Sequence, residues 1–89
     1  MPKVVITHNV VDVAKWLEFK AERADAITGM GARNPVDHVA QDGSNTVAIT
    51  AEVDDATGLM AALASPPAEL GAVMEKHGVL PPLAVYVEQ

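Results

Sequence analysis

Three histidines, one tryptophan, one tyrosine and two arginines are the side chains of this sequence that could carry chemistry. His8 stands out. It closes an apolar run, Lys3-Val4-Val5-Ile6-Thr7, and shares the face of Val4 and Ile6 if that run is a strand. An imidazole at a strand end beside a pocket can act as a general base or orient an acidic substrate hydroxyl. The bland alternative is a half-buried histidine bonded to a nearby carbonyl, since strand ends carry polar residues anyway. Asn9 follows it and could hold an oxyanion, although asparagine also makes turns well. Tyr86 could donate a proton or bond an enolate; on a last strand its plain role is packing with the hydroxyl at the rim. Trp16 would wall a pocket for a flat apolar ligand or fill the core.

Other polar groups are weighed the same way. His38 shares a strand face with Val36 and Ala40, and would either join His8 in one cavity or face solvent or a partner from an edge strand. Arg33 would pair with a substrate carboxylate or serve as a solvated loop charge. His77, just before Gly78, suits the negative end of a helix. Two histidines and a carboxylate could bind a metal, but no paired i, i+4 histidine spacing appears, so no metal site is assigned. Met60 and Met74 read as gap fillers. No Gly-rich phosphate loop, serine elbow or paired catalytic carboxylates are present.

The elements that position these groups follow from the hydrophobic pattern. A first strand runs Lys3 to His8, and Asn9 and Val10 turn the chain. Asp12 caps a helix from about Val13 to Ile27, with Val13, Trp16, Leu17, Ala21, Ala24 and Ile27 on its inner face. Asn34-Pro35 marks a turn before a second strand, Val36 to Gln41. The stretch Asp42-Gly43-Ser44-Asn45 is a hairpin loop leading to a third strand, Thr46 to Val53. Asp54-Asp55 caps a helix from Ala56 to Ala64, Ser65-Pro66-Pro67 breaks it, and Ala68 to His77 continues it. Gly78 ends the helical stretch, and Pro81-Pro82 leads into the last strand, Leu83 to Val87. The order βαββαβ predicts an α+β ferredoxin-like domain with a four-stranded antiparallel sheet and both helices on one face.

The chain has 89 residues, so a single domain, 1–89, is expected. Its formal charge is −6, with 12 acidic and 6 scattered basic residues, which argues against nucleic acid and anionic membrane partners. Apolar runs are far shorter than the roughly 20 residues that span a bilayer, and the start shows no signal-peptide pattern, so a cytoplasmic location is expected. Without cysteine there is no disulfide, thiolate metal site or cysteine nucleophile. Aromatic residues are 3% of the chain, so the core must be aliphatic and modest. The uncovered sheet face is expected to be apolar or small, which predicts a homodimer joined through sheet faces.

Val11-Asp12-Val13-Ala14-Lys15-Trp16 after a first strand, Glu52-Val53-Asp54-Asp55, and Ser65-Pro66 with His77-Gly78-Val79 resemble small dimeric α+β barrel proteins related to the antibiotic-biosynthesis-type monooxygenase and polyketide cyclase group. The resemblance implies a dimer with a pocket between sheet and helices in each subunit. It also implies one of several activities: cofactor-independent oxygenation of aromatic polyketides, haem degradation, cyclisation, lactone isomerisation or ligand sensing. Many such proteins carry an aromatic residue four positions after the helix tryptophan, where this chain has Lys20, with Phe19 one position earlier. Haem-degrading relatives combine an asparagine, a tryptophan and a histidine, with the tryptophan on the second helix. Trp16 is on the first, so the haem site is not carried over and no cofactor is assigned.

Two functional readings follow. One is a cofactor-independent monooxygenase, cyclase or isomerase for a small aromatic or polyketide-like substrate, with His8 as base, Asn9 and Tyr86 as polar positioners, and Trp16, His38 and Arg33 around the ligand. The other is a non-catalytic small-ligand binding protein or a dimeric interaction protein. An apolar cavity holding two or more of His8, Asn9, His38 and Tyr86 would support catalysis or ligand binding.

Overall fold

A computed structural model describes residues 2–65 and 68–89. The chain forms β1 (Lys3–Val10), α1 (Val13–Glu18), α2 (Lys20–Gly29), β2 (Ala32–Val39), β3 (Thr46–Val53), α3 (Ala56–Ala64), α4 (Ala68–Lys76) and β4 (Val79–Val87). The strands make one antiparallel sheet in the order β2-β3-β1-β4. With a helix pair in each crossover, this is the expected ferredoxin-like α+β fold, and the sheet stays open.

The core forms where strand alternation meets the helices. Val4, Ile6 and Val10 of β1 and Val47, Ile49, Ala51 and Val53 of β3 are buried with Trp16, Ile27 and Leu59. Val5, Thr7 and Asn9 point to the opposite face, which no element among the described residues covers, because successive strand residues alternate. One row across that open face reads Tyr86, Val5, Thr50 and Val36; the next reads Ala84, Thr7, Ala48 and His38.

Several boundaries differ from the sequence reading. β1 continues through Asn9 to Val10, because Asn9 pairs with Thr46 and Leu80 instead of turning the chain. The single helix expected over 13–27 is broken at Phe19, whose ψ of 20° ends α1. Leu17 and Ala21 are consequently exposed, and the inward stripe is Trp16, Arg23 and Ile27. Asn34-Pro35 is an irregularity inside β2, with Asn34 at φ 53°, so Arg33 lies in a strand and not in a loop. β2 is an edge strand, where a proline costs no ladder hydrogen bond on its free side. The same reason admits Pro81 and Pro82 into the other edge strand, β4, which begins at Val79. The break expected at Pro66-Pro67 lies outside the described residues.

The caps behave as their chemistry requires. Asp12 and Asp55 accept from the backbone N–H groups of Lys15 and Gly58. Gly78 takes φ 75°, and its carbonyl accepts from the Val11 N–H, tying the end of the second helical pair to the start of the first. Val11 Cβ would lie 3.4 Å from a side-chain carbon at position 78, a tight contact added to a strained φ.

Candidate functional site

A cavity lies between the sheet and the helices. Its walls are mainly aliphatic, with Ile6, Ile49, Leu63, Leu70 and Leu83 among them, and its polar groups are His8, Arg23 and His77. Its volume, measured as space open to the centre of a water-sized sphere, is about 50 Å³. That admits a few waters, each needing roughly 10–15 Å³. The cavity shares lining side chains with two grooves. Leu63 and Leu83 also line an outer groove of about 400 Å³ beside Met60, Pro81 and Pro82. Met30, Leu70 and Val73 also line a second groove of about 350 Å³.

His8 is placed by β1 and by a break in its pairing with β4. Thr7 pairs with Ala84 and Asn9 with Leu80, so the register shifts across His8. Such irregularities re-aim side chains near sites. His8 is 5% exposed. Its Nδ1 lies 3.0 Å from the Asn9 carbonyl oxygen, which can only accept, so Nδ1 carries the proton and Nε2 keeps the lone pair. Burial pushes its pKa down; the Asn9 carbonyl opposes this and the Arg23 charge adds to it. His8 is therefore neutral at pH 7, with its ring edge-on to Trp16 at 6.2 Å between centroids.

Arg23 is the buried cation of the site, although its charge alone would place it outside. Its Nε donates to Asp37 Oδ1 at 3.1 Å and its Nη2 to Asp37 Oδ2 at 2.8 Å. Its Nη1 donates to the Trp16 carbonyl at 2.9 Å, and the guanidinium lies 3.7 Å from the Trp16 ring centroid. This fork holds α2 to β2 and satisfies the charge by paired hydrogen bonds and the indole face.

His77 follows α4 and is 2% exposed. Its ring stacks on Phe19, with centroids 4.7 Å apart and an 11° interplanar angle. Nε2 is 3.4 Å from Glu22 Oε1 and has no hydrogen-bond partner. Burial lowers its pKa, Glu22 pulls the other way, and Arg23 and Lys76 lower it further. The dipole role read from sequence is thus outweighed by desolvation. Trp16 Nε1 is the other buried side-chain nitrogen without a partner among the described residues.

The structure divides the sequence candidates between the two sheet faces. Of His8, Asn9, His38 and Tyr86 only His8 lines the cavity, so the expected grouping of two or more is not met, and its polar companions there are Arg23 and His77. Trp16 is wholly buried core behind His8 and Arg23, and is not part of the cavity wall. The Asn9 side chain is on the open face, where its Oδ1 accepts from Thr46 Oγ1 at 2.8 Å. Its contribution to the site is its main-chain carbonyl. Tyr86, 61% exposed, and His38, exposed on edge strand β2, are also on the open face. Arg33 ion-pairs with Asp54 at 2.9 Å at the surface. For Asn9, Arg33, His38 and Tyr86 the cause is strand parity: residues one position apart face opposite sides.

Sequence reasoning missed Arg23 and gave His77 only a capping role. The signal for Arg23 was its spacing, seven residues after Trp16 and four before Ile27, on the buried stripe. Among the described residues no group of three or more histidine, aspartate or glutamate side chains is arranged to hold a metal. No described helix is long and apolar enough to cross a membrane.

The fold is shared with solved structures named as antibiotic biosynthesis monooxygenases. One from Bordetella bronchiseptica superposes with a TM-score of 0.67 at 14% identity, covering 99% of this chain and 94% of that one. SnoaB, a cofactor-independent oxygenase from Streptomyces nogalater, has a TM-score of 0.63 at 17% identity, with 96% and 89% covered. A dimeric ferredoxin-like protein from an uncultured marine organism has a TM-score of 0.61 at 8% identity, with 100% and 93% covered. At these identities the likeness defines the class of fold and leaves the activity to the site. No protein-family model matches the sequence, and no curated protein sequence matches it.

Proposed function

We propose that this protein is a cofactor-independent enzyme that removes a proton from a small, weakly acidic aromatic or enolic ligand, with His8 as the base. The observation that carries this is a buried, neutral imidazole of fixed tautomer on the wall of an apolar cavity. A ligand C–H or O–H would give its proton to His8 Nε2, and the electron pair would stay on the ligand as an enolate or phenolate. The Arg23 guanidinium, on the same wall, stabilises that charge in a medium where charges interact strongly. Reprotonation elsewhere on the ligand gives isomerisation or cyclisation; reaction of the anion with dioxygen gives oxygenation, and the SnoaB neighbour is named a cofactor-independent oxygenase.

Drug-sized ligand pockets run about 300–1,000 Å³. A ligand larger than a few atoms therefore needs the cavity to join an outer groove. Rotation of Leu63 or Leu83 would do this, since each lines both spaces. We also assign the open sheet face to a second copy of the chain. Val36 and Tyr86 are exposed there, and the dimeric ferredoxin-like neighbour supports this assembly.

The test is His8→Ala against a panel of phenols and enolisable ketones. General base catalysis contributes about 10²–10⁴-fold, so turnover should fall by at least 100-fold while ligand affinity changes little. Unchanged turnover would remove His8 from the mechanism. Binding without turnover in the unsubstituted protein would assign it as a ligand-binding module instead.

A further inference from the structure

We propose that His77 and Glu22 form a second proton-handling pair of the cavity, in which His77 receives a ligand proton and Glu22 stabilises the imidazolium that forms. The inference rests on the reading of the cavity as an acid–base site. It starts from a group that packing alone does not explain. His77 lines the cavity, yet its Nε2 is buried and makes no well-formed hydrogen bond, its nearest acceptor being Glu22 Oε1 at 3.4 Å. Leaving such a nitrogen unsatisfied is costly, and a hydrophobic residue of similar shape would stack on Phe19 equally well.

Glu22 completes the pair from α2. Lys76 Nζ holds its Oε2 at 3.0 Å, which leaves Oε1 turned to His77 Nε2 at 3.4 Å. The carboxylate stays ionised, because the Lys76 hydrogen bond keeps its pKa below the usual range, and it is in contact with solvent. An imidazole backed by an oriented carboxylate is a stronger proton acceptor than one backed by a carbonyl. The charges around His77 are Glu22 on one side and Arg23 and Lys76 on the others. The Glu22 carboxylate is thus the only one of the three that favours the imidazolium.

The step balances without an oxidant. The ligand O–H bond breaks, an N–H bond forms on His77, and the electron pair remains on the ligand oxygen. The imidazolium is held against the Glu22 carboxylate, which stays ionised, and the proton returns to the ligand anion or leaves to water when the anion departs. His8 differs in kind. Its Nδ1 is committed to the Asn9 carbonyl and its ring lies against Trp16, so a proton taken at Nε2 is returned to the ligand. His8 would move protons within a substrate, and His77 would hold one as an imidazolium beside Glu22.

The probe is 4-nitrophenol, whose anion absorbs visible light, titrated into the unsubstituted protein, Glu22→Gln, His77→Phe and His8→Ala. Glu22→Gln is a surface change that leaves the fold intact. The expected result is anion bound to the unsubstituted protein and about tenfold weaker anion binding in Glu22→Gln and His77→Phe. In parallel, the His77 imidazole resonance of Glu22→Gln should titrate at lower pH while that of His8 is unmoved. Anion binding unchanged by Glu22→Gln, and abolished by His8→Ala, would overturn the pair and leave the His8 reading standing. No binding to the unsubstituted protein would refute the acid–base reading of the cavity and this pair with it.

Discussion

Replacing Asp37 by alanine should be among the most damaging single changes in this protein, and the structure gives the size. The Arg23–Asp37 pair is bidentate, with side-chain exposures of 6% and 7%. Truncating one partner leaves the other charged and buried, at a cost of about 3–5 kcal/mol. A chain of this length is stabilised by about 4–13 kcal/mol in all, at roughly 0.05–0.15 kcal/mol per residue. The single variant should therefore lose about 12 °C or more in Tm, at about 4–8 °C per kcal/mol, or fail to fold. The companion Arg23→Met/Asp37→Leu removes both charges together. It should recover most of that loss, because desolvating the pair offsets much of its attraction. The assay is a double-mutant cycle by urea unfolding at fixed protein concentration. The fluorescence of Trp16, the chain's one tryptophan and fully buried when folded, reports the transition. An Asp37→Ala cost under about 1 kcal/mol would show that Arg23 is hydrated. The guanidinium would then be no fixed neighbour of the two cavity histidines, and the anion-stabilising role given to it would fall.

Two further outcomes follow from the same geometry. His8 and His77 both have folded pKa values held below the ordinary histidine value of about 6.5. The unfolded chain then binds more protons than the folded one as pH drops below that value. The stability from keeping both rings neutral is present above about pH 6.5 and is lost progressively below it. Urea midpoints measured from pH 7.5 to 5 should decline, and His8→Ala should flatten part of the decline; a midpoint flat over that range would contradict the burial argument. On the open face, Val5→Glu places a charge in the row between Tyr86 and Thr50. Sedimentation should find the unsubstituted protein as a dimer at micromolar concentration and the variant as a monomer with the same circular dichroism; an unsubstituted monomer would remove the assembly.

Local pattern was enough for much of this molecule. Alternation in Thr46–Val53 gave β3 to the residue, Asp12 and Asp55 announced their caps, and the order of elements gave the sheet. These features depend on neighbours within a few positions. His8 was legible for the same reason, since it shares parity with Val4 and Ile6. Three other matters were settled only in three dimensions. Asn9, His38 and Tyr86 were grouped with His8 by chemistry, but pairing register sets them on the face away from the cavity. Arg23 looks like a surface charge until Asp37, fourteen residues on, is brought to it across the fold. The meeting of Glu22 and His77 joins α2 to the end of the second helical pair, a contact between residues 55 apart that no local spacing encodes. The sequence by itself determined the order of elements and the facing of side chains along β1 and β3, but not the break at Phe19 that turns Leu17 and Ala21 outward. Only tertiary packing decided which of those side chains share a space, because burial and charge pairing act between residues distant in the chain.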